Sequence, residues 1–147
     1  MLLGIPATFA SPLPLEGGDN TEIGHIFERQ SADRICGDKN FYSSSFQSET
    51  FMYGKSYDLT GTTITGSNGA IYPHVFRNDE NINLPDCPGV PAPYQEFPIL
   101  QGGLLFGGGD PGTDRVIYKI TSTNPASGLP DNFAYCGLIT HIGAPPN

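Results

Sequence analysis

Turn-forming residues dominate this chain, with 19 glycines and 14 prolines making up 33 of its 147 residues, nearly twice the roughly 12 per cent of average usage. Neither residue is a good guest inside a helix or a central strand, so loops and turns are expected to be plentiful. A helical pattern shows at residues 46–57, where Phe46, Tyr53 and Tyr57 recur at about helical intervals and Ser44 and Gln47 stand at capping-box spacing. A Gly/Thr/Ser/Asn-rich turn region follows at 61–69. Strand-like segments then lie at 71–76, 96–100, 114–120 and 135–142. One helix followed by several short strands predicts an α+β fold, with the α-helix packed on a short-stranded antiparallel β-sheet.

The ends and the charge narrow the function. Residues 1–10 form a short apolar run ending Thr8-Phe9-Ala10, small residues where a signal peptidase cuts, and read as a clipped signal segment of a secreted, extracellular protein. Residues 11–34 have a composition that packs no core and read as a propeptide or disordered tail, which leaves 35–147 as one domain. No apolar run is long enough to span a bilayer, so no membrane association is expected. Seven Lys and Arg against 15 Asp and Glu give a net charge of −8, which disfavours nonspecific binding to nucleic acid or anionic lipid. Phosphate chemistry has to come from a few placed groups.

Several strand-like segments carry such groups. Tyr72 and His74, two apart, share one face of a strand. Glu96, Arg115 and His141 each stand in or at the end of another strand among apolar neighbours. The three cysteines, Cys36, Cys87 and Cys136, lie far apart with no C-x-x-C, and the histidines lack H-E-x-x-H spacing, so no metal is expected. A serine triad has no G-x-S-x-G elbow. Gly107-Gly108-Gly109-Asp110-Pro111-Gly112 fits G-x-G-x-x-G but leads into a strand, and reads as a tight loop without a cofactor. Asp114 either orients Arg115 or begins a strand. A carboxylate base, an imidazolium acid and a guanidinium suit transesterification of RNA by its own 2′-hydroxyl, which needs no cofactor.

Four blocks carry a resemblance: Tyr72-Pro73-His74, Tyr94-Gln95-Glu96-Phe97-Pro98-Ile99-Leu100, Pro111-Gly112-Thr113-Asp114-Arg115-Val116-Ile117 and Gly137-Leu138-Ile139-Thr140-His141. In order and approximate spacing they resemble the small secreted fungal guanyl-specific ribonucleases, and Cys36-Gly37 with Tyr42-Ser43-Ser44-Ser45 extends the likeness over 35–147. The resemblance implies an endoribonuclease cleaving single-stranded RNA after guanosine to a 2′,3′-cyclic phosphate, then hydrolysing it. Glu96 would be the general base and His141 the general acid, with Tyr72, His74 and Arg115 holding the phosphorane. Glu80 would accept hydrogen bonds from guanine, Phe76 would stack on it, and Asn78 and the loop backbone would complete its recognition; Arg77, which the resemblance does not assign, either contacts phosphate or is a solvated loop charge. A monomer is implied.

This sequence also departs from the family. Asp79 stands where an aromatic covers the base, which removes a stacking surface and adds a negative charge. Asn147 aligns with a base-contacting asparagine and closes the chain before the family's last aromatic segment and cysteine. Some relatives join cysteines at the places of Cys87 and Cys136, so the resemblance implies that bridge here and leaves Cys36 a free thiol. The alternative is a catalytically weak or inactive secreted effector that binds RNA or a host protein; the presence of Glu96, Arg115 and His141 argues for the enzyme. A ribosome-cleaving toxin is disfavoured, because residues 72–147 hold only Arg77, Arg115 and Lys119 as cations.

Overall fold

A computed structural model describes residues 33–37, 39–84, 86–87 and 93–143. The signal segment, nearly all of the expected tail and Asn147 lie outside them. Two short strands, β1 (Arg34–Cys36) and β2 (Asn40–Tyr42), form an antiparallel hairpin ahead of α1 (Ser44–Thr60). Ser43 rather than Ser44 caps the helix, its Oγ accepting the Phe46 N–H at 3.2 Å. Gly61 ends it at φ 64°, with its own N–H and that of Thr62 returning to Asp58 and Tyr57, a Schellman closure that needs glycine at the left-handed position. Gln47, outside the cap, is buried: it donates to the Tyr42 carbonyl at 2.8 Å and accepts from Tyr135 Oη at 2.7 Å.

The segment expected as one strand at 71–76 divides at Pro73, which has no N–H to give a ladder. β4 (Ile71–Tyr72) pairs with β3 (Ile64–Thr65), and β5 (His74–Phe76) joins the main sheet. That sheet is antiparallel, in the order β5, β6 (Tyr94–Pro98), β7 (Asp114–Thr123), β8 (Pro130–Thr140). Its register sorts the side chains. Phe97, Val116 and Leu138 lie opposite one another and face α1, whose Thr50, Phe51 and Gly54 are buried. A Cβ on Gly54 would meet Phe97 Cγ at 2.8 Å, so glycine lets the helix settle onto that ring.

The neighbours of those core residues, His74, Glu96, Pro98, Arg115 and Ile139, point to the other face. A second apolar cluster, Leu84, Cys87, Tyr94, Ile117, Cys136 and Ile139, fills the rest of that face beneath the 77–87 segment. Cys87 and Cys136 are joined in a disulfide, the pairing the resemblance implies, and Cys36 is a buried free thiol. Asp33 and Arg34, placed in the tail by composition, contact the rest of the described fold. Asp33 accepts the Ser44 N–H, and Arg34 pairs with Asp86 at 2.5 Å, a long-range contact that composition does not register.

Candidate active site

Glu96 sits at the centre of the sheet and is 4 % exposed. Direct cross-strand pairing brings His74 opposite it, with His74 Nε2 2.7 Å from Glu96 Oε1. Two residues along the neighbouring strand pair, Arg115 places its Nε 3.8 Å from the same oxygen. His141, just beyond β8, is held by its N–H to the Thr113 carbonyl at 2.7 Å, and its Nε2 reaches to 3.6 Å from Glu96 Oε2. Tyr72, on its separate strand, stacks on His74 with ring centroids 4.7 Å apart and accepts from Arg115 Nη2 at 3.1 Å. The five residues named as catalytic from the sequence are thus one cluster around one carboxylate.

Both ring nitrogens of His74 face acceptors, since Nδ1 lies 2.7 Å from the Ile71 carbonyl oxygen. The Glu96 hydrogen bond raises the His74 pKa above its ordinary value, against the opposing effect of partial burial. Arg115 Nε and His141 Nε2 are buried nitrogens without a hydrogen-bond partner. Buried polar atoms are rarely left so. Both lie beside Glu96, so the guanidinium N–H and an imidazole nitrogen are left for an incoming group.

A cleft of about 430 Å³ opens from this cluster, lined by His74, Glu96 and His141 on one side and by residues 75–80 and Ile82 on another. Phe76, Arg77, Asp79 and Glu80 all line it, with Arg77, Asp79 and Glu80 exposed. Asn78 lines it too, but its side chain is engaged within the loop. Its Oδ1 accepts the Ile82 N–H at 2.7 Å and its Nδ2 donates to the Ile82 carbonyl at 3.0 Å. With φ 52° at Asn78 and 54° at Asn81, asparagine sets the shape of the loop that carries Glu80.

Sequence reasoning missed the supports. Arg115 Nη1 donates to the carbonyls of Pro111, Gly112 and Asp114 at 2.8–2.9 Å. Backbone acceptors leave no residue-type signal. Asp114 begins β7, and its carboxylate turns away from Arg115 to accept from Asn40 and Tyr42 at 2.7 and 2.8 Å. Burial pushes its pKa up, but hydrogen bonds from Asn40, Thr140, Tyr42 and Thr113 outweigh that and hold it below the ordinary carboxylate value.

Comparison with known proteins places the chain among ribonucleases. Residues 29–147 match the ribonuclease family profile. The chain is 36 % identical over 118 residues to guanyl-specific ribonuclease T1 of Aspergillus oryzae, covering 80 % of this chain and 76 % of that protein. It is 35 % identical over 122 residues to guanyl-specific ribonuclease F1 of Fusarium fujikuroi, covering 83 % and 77 %. With extracellular guanyl-specific ribonuclease Fl1 of Gibberella baccata it shares 34 % identity over 115 residues, covering 76 % and 88 %. The family profile spans every strand that surrounds Glu96, and the chain belongs to the ribonuclease family.

Proposed function

We propose that the protein is a secreted, monomeric endoribonuclease that cuts single-stranded RNA after guanosine by general acid–base catalysis. The observation that carries this reading is the position of Glu96 between two imidazoles and a guanidinium at the base of the cleft beside Glu80. Glu96 takes the proton of the ribose 2′-hydroxyl as its oxygen attacks phosphorus. His141 Nε2 gives a proton to the departing 5′-oxygen, leaving a 2′,3′-cyclic phosphate. Water then opens the ring with the acid and base roles exchanged. Arg115, His74 and the Tyr72 hydroxyl face the charge that builds on the phosphorane.

Glu80 accepts from N1–H and the exocyclic amine of guanine, which adenine cannot match at the same edge. Family membership implies an RNA substrate, and the guanine preference named in the relatives supports the base choice here. The disulfide, a feature of oxidising compartments, supports secretion, as does the relative named extracellular.

Cleavage of guanylyl-3′,5′-cytidine tests the reading. We expect turnover in EDTA with a cyclic phosphate product, and a loss of about 100-fold or more in kcat/KM for each of Glu96→Ala and His141→Ala. Inert wild-type protein would overturn it.

A further inference from the structure

We propose that Asp110 is a positioning residue for catalysis: its carboxylate shapes the loop whose backbone carbonyls aim both Arg115 and His141. The inference rests on the roles assigned to those two residues above. A guanidinium is planar, so fixing one nitrogen fixes the direction of the others. Nη1 of Arg115 is surrounded by the carbonyls of Pro111, Gly112 and Asp114, and Nη2 is spent on Tyr72. Nε is left facing Glu96, which lines the cleft.

Two of the three carbonyls belong to a turn that Asp110 closes, its Oδ1 accepting the Gly112 N–H at 2.9 Å. Gly112 adopts φ 59°, a conformation that favours glycine and that the aspartate bond stabilises from the side. The next residue, Thr113, accepts the His141 N–H. One short segment therefore sets the guanidinium that faces the phosphate and the backbone of the residue that protonates the leaving group. Its upstream end is tied down separately, through the Gly109 carbonyl to the Ser67 N–H at 2.9 Å and through the buried Phe106. Asp110 itself is exposed, so replacing it opens no cavity.

Steady-state kinetics on guanylyl-3′,5′-cytidine, with urea unfolding of the same samples, test the proposal. Asp110→Ala is expected to lower kcat about tenfold, less than the roughly 100-fold that a 1 Å misplacement can cause. Its KM and urea midpoint should stay near wild type, because the base-binding loop and the core are untouched. Asp110→Asn keeps an oxygen at the same place and should recover most of kcat. Wild-type kinetics in Asp110→Ala, an Asp110→Asn as slow as the alanine variant, or a kcat loss that tracks lost stability would each overturn the positioning role. Inert wild-type protein, by contrast, would overturn the ribonuclease reading itself.

Discussion

Asp114→Ala should unfold more easily than its exposed-carboxylate counterparts because Asp114, 1 % exposed, ties the β1–β2 hairpin to β7. It accepts from Asn40 Nδ2, Tyr42 Oη, Thr113 Oγ1 and the Thr140 side chain. Hydrogen bonds to a charged acceptor are each worth roughly 1.5–3 kcal/mol, but the full sum overstates the loss. Thr113 is exposed and can turn to water, and Tyr42 keeps a second acceptor in the Ile99 carbonyl at 3.3 Å. We expect a destabilisation of about 3 kcal/mol, a fall in melting temperature of roughly 12 °C for a domain of this size. The sign with pH follows from the depressed pKa of Asp114. Its contribution is present above the unfolded carboxylate value, near 3.8, and is lost as pH falls through the folded one. Urea unfolding at a series of pH values should therefore show wild type and Asp114→Asn drawing together in acid. A gap that stays constant from neutral to strongly acid pH, or an Asp114→Asn as stable as wild type at pH 7, would refute the reasoning.

Three further outcomes are expected. Glu80→Ala should collapse the ratio of guanosine to adenosine cleavage, measured on paired dinucleotides, while slow cleavage persists; an unchanged ratio would assign base reading to the loop backbone. Replacing Cys87 and Cys136 together by serine should cost about 4 kcal/mol in urea unfolding, the chain-entropy value for a separation of 49 residues, and should lower activity because it frees the approach to β6 from β8. Gly54→Ala, which in an open helix would gain about 1 kcal/mol, should instead destabilise, since its methyl would lie 2.8 Å from Phe97 Cγ on a ring with no exposure; a higher melting temperature would show that the helix shifts freely.

The cluster around Glu96 was legible because strands place residues by parity. His74, Glu96, Arg115 and His141 stand out as polar groups in or beside strands among apolar neighbours, and the family resemblance implies that they share one site. The β1–β2 hairpin was not legible. Its strands are three residues long, Ile35 and Phe41 are exposed, and its anchor is a bond from Asn40 and Tyr42 to a carboxylate more than 70 residues away. Gln47 misled for a related reason. At capping spacing after Ser44 it looked local, yet both ends of its amide serve distant partners, one before the helix and one in β8. Asn78 shows the same limit in a loop: nothing in the sequence signals that its side-chain amide is engaged by Ile82.

The alternation along β6 and β7 has a consequence for how this protein fails. Glu96 is followed by Phe97 and Arg115 by Val116, so reactive and core side chains are nearest neighbours on both central strands. A slip of one residue between them would turn a carboxylate into the aromatic core and a phenyl ring into the cleft. No half-zipped form of the sheet can cut RNA, because the cut requires the register that buries Phe97. Catalytic turnover is then an all-or-none gauge of native pairing. Loss of specific activity along a denaturation curve should coincide with loss of the fold itself, with no tolerant intermediate that remains a nuclease.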